Sequence, residues 1–396
     1  MPSSIPDSAG TPASVHRAYR DLAIVGYLLY GVGAVSPFIR DALGLSDTET
    51  GLHSTFIAIG MLAAGLAADR LDRRAGPSRI HAASALVAAL AIALLAWSPA
   101  LAATLLASGL VGLSCGILLG HVNDQLGSAG GPEARRRMLR ANLFAMVGPL
   151  LIPATITLAV AAGLGWQVAF LPALALLAWL VLDARRHGIP IGDRPTATGR
   201  LPRPYWLGWL LLVVVVGVET SCGFWGSTLV QRRTGVPAAD AALVTGGFFL
   251  GMLIGRGALG LDRFVHQRPQ RLVRAGLGLA ILGAAIAWLA PSVPIGALGL
   301  LIAGLGISGQ YPLGVTMTLP LGATAPAAAA ARLTLASGTA VLLAPLVLGA
   351  SADLVGVEIA WLLIPLLAVI AIALSLAIDR PSTTEPSTPG PALGAA

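Results

Sequence analysis

Apolar residues fall in long, nearly uninterrupted runs, not in the short alternating or three-to-four-residue patterns of elements with one face in water. Twelve such runs of about 16 to 26 residues carry almost no charge, and each is long enough for an α-helix rising about 1.5 Å per residue to cross a hydrocarbon core of about 30 Å. They span approximately Leu22 to Ile39, Gly51 to Ala68, Ile80 to Trp97, Ala100 to Val122, Ala141 to Gly163, Gln167 to Leu182, Tyr205 to Val230, Ala238 to Leu261, Leu272 to Ala290, Val293 to Met317, Leu333 to Ala352 and Ile359 to Ile378. The pattern predicts an all-α membrane protein of about twelve transmembrane helices.

The polar positions divide these runs into two sets of six. A segment rich in Arg, Pro and Gly, Arg185 to Arg203, reads as a linker between the sixth and seventh helices. The expected organisation is a tail (1–19), a first six-helix bundle (20–186), a linker (187–203), a second bundle (204–379) and a disordered Pro-rich tail (380–396). The halves echo one another at an offset of 192 or 193 residues: Asp69-Arg70 with Asp262-Arg263, Gly116 with Gly309, Arg140 with Arg332, Pro153 with Pro345 and Pro172 with Pro365. A duplicated bundle related by an axis along the membrane normal accounts for that constant offset.

Composition supports the membrane reading, since 56% of residues are hydrophobic and only 11% charged, too few polar groups to cover a water-facing surface. The net charge of +7 would suggest nucleic acid, but its distribution points elsewhere. There is no Lys, and 21 of the 25 Arg fall on one set of alternating loops and tails. Three (Arg40, Arg232, Arg233) fall on the other set, and Arg256 lies within a run. By the positive-inside rule both termini are expected in the cytoplasm, with the chain multi-pass in the inner membrane. Residues 1 to 19 have no apolar core, so the first helix is expected to act as the signal anchor. Cys115 and Cys222 lie mid-run without metal-ligand spacing and read as small buried residues.

After the second run comes Gly65-Leu66-Ala67-Ala68-Asp69-Arg70-Leu71-Asp72-Arg73-Arg74. It resembles the loop signature of the major facilitator superfamily, departing from it at Asp72, where Gly is usual. A weaker copy, Ala258-Leu259-Gly260-Leu261-Asp262-Arg263, stands at the matching place in the second half. The resemblance implies a transporter of two six-helix bundles that rock about a central substrate site. It also implies a gating role for Asp69, Arg70, Arg73, Asp262 and Arg263, with Asp69 facing a helix N-terminus across the bundle interface.

The seventh run carries Gly217-Val218-Glu219-Thr220-Ser221-Cys222-Gly223-Phe224-Trp225-Gly226, which is similar to the seventh helix of fucose-type sugar:proton symporters and of uncharacterised superfamily members. Glu219 lies about 21 Å of helix rise from Tyr205, deep in the membrane. A carboxyl there is a functional candidate by default: a coupling-proton carrier, a substrate ligand, or a structural hydrogen-bonding group. Arg256, about one turn from the cytoplasmic end of its run, reads as a gating residue, with ligand binding and direct pairing with Glu219 as the alternatives and a depth expected to differ from that of Glu219 by more than about 10 Å. In superfamily members the first, fourth, seventh and tenth helices line the cavity, which implies Tyr27, Tyr30, Trp225, Gln310 and Tyr311 as lining residues. His121 reads as a polar group near a helix end, with a proton carrier as the alternative.

Two motifs are decoys. Gly304-Leu-Gly306-Ile-Ser-Gly309 fits a dinucleotide fingerprint and Gly112-Leu-Ser114-Cys-Gly116 a nucleophile elbow, yet both lie inside apolar runs where small residues serve close helix packing. With no Lys there is no Walker-type phosphate loop. No enzymatic activity, cofactor or metal is expected. The sequence thus predicts a monomeric secondary transporter whose partners are a small solute, protons and the lipid bilayer. Proton-coupled symport of a sugar-like or other small polar compound by alternating access is the leading reading. Proton-driven efflux of hydrophobic compounds, or a membrane receptor or sensor, is the alternative. Gly148-Pro149 matches part of an antiporter signature, but Ile152-Pro153 stands where Gly-Gly would follow.

Overall fold

Hydrocarbon offers no partner for backbone N–H and C=O groups, so each long apolar run closes its own hydrogen-bond ladder as a helix. The computed structural model describes residues 12 to 127, 137, 140, 141, 143 to 189 and 199 to 379. The first six long helices are α1 (Pro12–Leu43), α2 (Asp47–Ala75), α3 (Pro77–Trp97), α4 (Leu101–Gly127), α5 (Val147–Ala161) and α6 (Leu171–His187), the last preceded by the short turn Trp166–Phe170. The second six are α7 (Arg203–Thr234), α8 (Ala238–Leu259), α9 (Pro269–Trp288), α10 (Val293–Ile307, resuming as Gln310–Thr318), α11 (Pro326–Val355) and α12 (Leu363–Ile378). Among the described residues eleven spans are long and apolar enough to cross a membrane, while α5 is a shorter apolar helix.

Several helix boundaries differ from the sequence expectation, two of them with consequences for its readings. Helix α1 already begins at Pro12, within the segment expected to be a tail. Helix α2 runs on to Ala75, so Asp69, Arg70 and Arg73 lie on its last turns and not in a loop. At its other end a capping box starts α2: the Ser46 hydroxyl accepts the Glu49 N–H at 3.1 Å, and the Glu49 carboxylate accepts the Ser46 N–H at 2.9 Å.

Each set of six helices has its own apolar core. Leu28, Ile92, Leu118, Ile152 and Phe170 are buried in the first, and Leu277, Leu300, Phe248 and Trp361 in the second. Helix α4 approaches α2 through Gly112 and Gly116, where a Cβ would collide with the Ile57 carbonyl and the Ala64 side chain. This close backbone approach is the packing role expected of the small residues. Leu66, Leu90, Leu158 and Leu354 project outward with most of their surface exposed, as suits helices solvated by lipid.

Prolines shape the interior. A helical proline lacks an N–H, so the carbonyl four residues earlier loses its donor. Pro37 orphans Gly33 O, which accepts from the Ser36 hydroxyl at 2.8 Å. Pro345 orphans Val341 O on α11, and the Ser54 hydroxyl of α2 reaches across to it at 2.9 Å. Beside it Thr55 donates to Leu342 O at 2.9 Å. Helices α2 and α11 meet closely here, since a Cβ on Gly51 would stand 3.0 Å from the Pro345 carbonyl oxygen. Helices α5 and α8 make the corresponding contact, with Pro153 beside Gly246 and the Thr157 hydroxyl 3.1 Å from Ala239 O.

Candidate functional site

Glu219 sits fifteen residues before the end of α7 at Thr234, about 22 Å of rise, near the middle of the span. Tyr30, near the middle of α1, donates its hydroxyl to Glu219 Oε1 at 3.1 Å and so links the first six helices to the second six. The Tyr30 ring packs edge-on against Phe249 of α8, with centroids 4.7 Å apart. Tyr311 of α10 lies in the electrostatic range of Glu219. Cys222, fully buried, lies one turn along α7 from Glu219.

The Arg256 guanidinium acts electrostatically on both Glu219 and Tyr30, and this corrects the expected separation in depth. Counted from the joined ends of α7 and α8, Glu219 lies about 22 Å down and Arg256 about 27 Å down, a difference of less than one turn that a long side chain spans. Arg256 is anchored through Nε, which donates to Ser308 O at 3.2 Å. That carbonyl is orphaned because Pro312 stands four residues on, at the place where α10 breaks into two pieces. Among the described residues no group of three or more metal-ligating side chains comes together.

Three residues expected to line the cavity are instead held within the packing. Tyr27 donates its hydroxyl to Ala169 O at 2.5 Å, with Thr155 Oγ1 at 2.7 Å, so it binds α1 to its own half. Trp225 is fully buried and its indole N–H reaches Pro345 O at 2.9 Å. Six residues at about 100° each carry it some 120° around α7 from Glu219, onto another face. Gln310 spends its amide N–H groups on Gly306 O and Val273 O, at 2.8 and 3.3 Å, joining α10 to α9. Tyr30 and Tyr311 remain beside Glu219.

The gating set is dispersed. Asp69, Arg70 and Arg73 are exposed on the last turns of α2. Asp262 opens the short helical turn Asp262–Val265, its side chain lying outside the described residues, and Arg263 covers the Phe264 ring at 4.8 Å.

A second polar cluster, not anticipated as functional, clamps the halves at the end opposite the Arg-rich loops. The Asp353 carboxylate at the end of α11 accepts the Asp47 and Thr48 backbone N–H groups at the start of α2, at 2.7 and 2.8 Å. It thereby complements the positive end of that helix dipole. Buried Asp47 in turn pairs with Arg232 of α7 at 3.2 Å and with Arg40 of α1 at 3.6 Å, while Arg40 donates to Gln231 Oε1 at 3.1 Å. A sequence signal exists: Arg40 and Arg232 stand at the repeat offset of 192 and are two of the few Arg outside the main Arg-bearing loops.

The sequence matches the profile of the Major Facilitator Superfamily over residues 22–321. No curated protein sequence matches it. Among solved structures the fold is similar to a bacterial homologue of the human lysosomal transporter Spinster in an inward-facing, unoccupied conformation, with a TM-score of 0.66 and 16% identity over 95% of this chain and 100% of that one. The inward-facing, occupied form of such a homologue gives 0.68 at 17% identity, covering 94% and 99%. The nucleoside transporter NupG gives 0.69 at 14% identity, covering 93% of this chain and 100% of its own. At these identities the structural likeness is one of fold. The twelve-helix arrangement and a profile match across most of the sequence agree: the chain belongs to the Major Facilitator Superfamily.

Proposed function

We propose that this transporter carries a small polar solute into the cell in symport with protons, and that Glu219 is the group that takes up and releases the coupling proton. The observation that carries the reading is the Tyr30–Glu219 hydrogen bond. It puts an ionisable group of α7 in direct contact with the opposite six helices, so its protonation state bears on how the two halves meet. A carboxylate at mid-span is costly unless it serves such a cycle. Tyr311 and Arg256 supply polar and charged groups within electrostatic range of Glu219, suited to a polar solute.

The two six-helix bundles are the rocking bodies, and the chain works as a monomer in the inner membrane with both termini in the cytoplasm, as its Arg distribution supports. In that orientation the Asp47–Asp353 clamp lies at the periplasmic end, and the arrangement corresponds to a state closed to the periplasm. A membrane-impermeant thiol reagent tests the orientation. It should leave an Arg200→Cys variant unlabelled in intact cells and label it in inverted vesicles.

The test of coupling is proton-driven uptake measured beside counterflow exchange in proteoliposomes across a solute panel. Glu219→Gln keeps size and hydrogen bonding but cannot ionise. Uphill accumulation should be lost and counterflow retained, whereas intact accumulation in Glu219→Gln rejects the coupling role.

A further inference from the structure

Helices α3 and α6 pack against each other within the first six, and where both reach the Arg-rich end they leave an open cavity of about 470 Å³. The chain closes its floor with a glycine turn. Gly188, at a φ of +73°, ends α6 in a conformation that favours glycine, and the Ile189 N–H that follows donates to the Ser78 hydroxyl in the first turn of α3 at 2.8 Å.

Arg79 of α3 and Arg185, Arg186 and His187 of the last turn of α6 line this cavity. All four are exposed, and the three arginines have no ion-pair partner among the described residues. The carboxylate of Asp183 is already met, since His187 Nδ1 lies 2.9 Å from one oxygen and Arg20 donates to the other at 3.0 Å. No side chain caps α3, so the positive end of its dipole adds to the charge of the arginines. The positive-inside rule explains why arginines gather at this end of the molecule. It does not explain why three from two helices share one hollow, where like charges repel unless an anion lies among them.

One wall of the cavity is apolar. Ala83, Leu86 and Leu90 follow one another at spacings of three and four along α3, all exposed, so they form one outward stripe, and its first two members line the cavity. In a membrane-spanning helix such a stripe meets acyl chains.

We propose that this cavity binds the headgroup of an anionic phospholipid, with Arg79, Arg185 and Arg186 on its phosphate and an acyl chain along Ala83, Leu86 and Leu90. Guanidinium groups hold phosphate oxygens through paired, charge-assisted hydrogen bonds, and basic pockets between membrane helices suit lipid headgroups. A soluble phosphate would use the arginines and leave the apolar stripe without a role.

Native mass spectrometry of the full-length protein in detergent, titrated with phosphatidylglycerol, phosphatidylcholine or inorganic phosphate, tests the assignment. The wild type should bind phosphatidylglycerol at least about tenfold more tightly than phosphatidylcholine, and inorganic phosphate should not displace it. The triple variant Arg79→Gln, Arg185→Gln, Arg186→Gln should lose most of that preference. A second triple variant, Arg203→Gln, Arg268→Gln, Arg271→Gln, removes the same charge from exposed positions elsewhere and should keep it. Equal loss in both variants would reduce the effect to diffuse charge, and displacement by inorganic phosphate would make the ligand a soluble anion; either overturns the proposal. So does a wild type without the preference, a result that depends on no variant folding.

Discussion

Tyr30 of α1 and Glu219 of α7 share a hydrogen bond of 3.1 Å across the boundary between the first and second six helices. Tyr30→Phe removes the hydroxyl and leaves the ring on Phe249. A hydrogen bond to a charged group contributes about 1.5–3 kcal/mol, and about 1.4 kcal/mol corresponds to tenfold. If that bond carries proton occupancy into the rocking motion, Tyr30→Phe should lower uphill accumulation about tenfold or more while counterflow persists. Equal loss of both activities would instead assign Tyr30 to substrate binding.

The clamp at the opposite end from the Arg-rich loops makes a conformational prediction. Asp353→Asn weakens the acceptor for the Asp47 and Thr48 N–H groups, at an exposed position where solvent screens the charge. The population open at that end should therefore rise by about three- to tenfold, less than a buried pair would give. Spin labels at Ala42→Cys and Arg233→Cys, both exposed, read it by pulsed electron resonance, since native Cys115 and Cys222 are buried. The variant should add a longer-distance component, and an unchanged distribution removes the clamp from the gating machinery.

The fold was legible because hydrocarbon enforces it: about twenty apolar residues without charge have few structural options, and the 192-residue offset exposes the duplication. Helix direction was less legible. Tyr27 and Tyr30 differ by three residues and Gln310 and Tyr311 by one, yet in each pair one member turns into its own bundle and the other toward Glu219. Apolar runs that are hydrophobic all round carry no moment to tell these faces apart. The Arg256–Glu219 relation is the least favoured reading from sequence because depth there rests on approximate run boundaries, where an error of a few residues is several ångströms. The contact between His81 Nδ1 of α3 and His121 Nδ1 of α4, 3.1 Å apart, was hidden for a different reason: its members come from separate helices forty residues apart, and single-sequence spacing does not register contacts between helices.

Asp69 on the last turns of α2 tests the gate implied by the loop signature. Asp69→Asn keeps the helix and removes one charge at an exposed position, so folding and membrane insertion should be unaffected. Transport should slow severalfold with little change in apparent affinity, because the expected role lies in switching between states and not in the solute site. Initial uptake rates at matched surface expression check this, and wild-type rates in Asp69→Asn would reduce the aspartate to a solvated helix end.

Arg256 and Pro312 make the most physical of these predictions because they are coupled through a carbonyl that belongs to neither. Pro312 withholds the N–H that Ser308 O would receive in a continuous helix, and Arg256 Nε supplies it from α8 at 3.2 Å. Arg256→Ala should leave the carbonyl without a protein donor, costing about 1–3 kcal/mol. Pro312→Ala restores a backbone donor and should let α10 run through Ser308 and Gly309. In the double variant that donor replaces the lost guanidinium, so the combined destabilisation should fall short of the sum of the single effects by about 1 kcal/mol or more, a coupling within the range found for contacting residues. Thermal unfolding of the four proteins in one detergent closes the cycle, and strict additivity would mean that Arg256 does not satisfy Ser308. Transport offers an independent reading of the same cycle. Pro312→Ala cannot replace the charge that Arg256 sets against Glu219, so the double variant should recover stability without recovering coupled uptake.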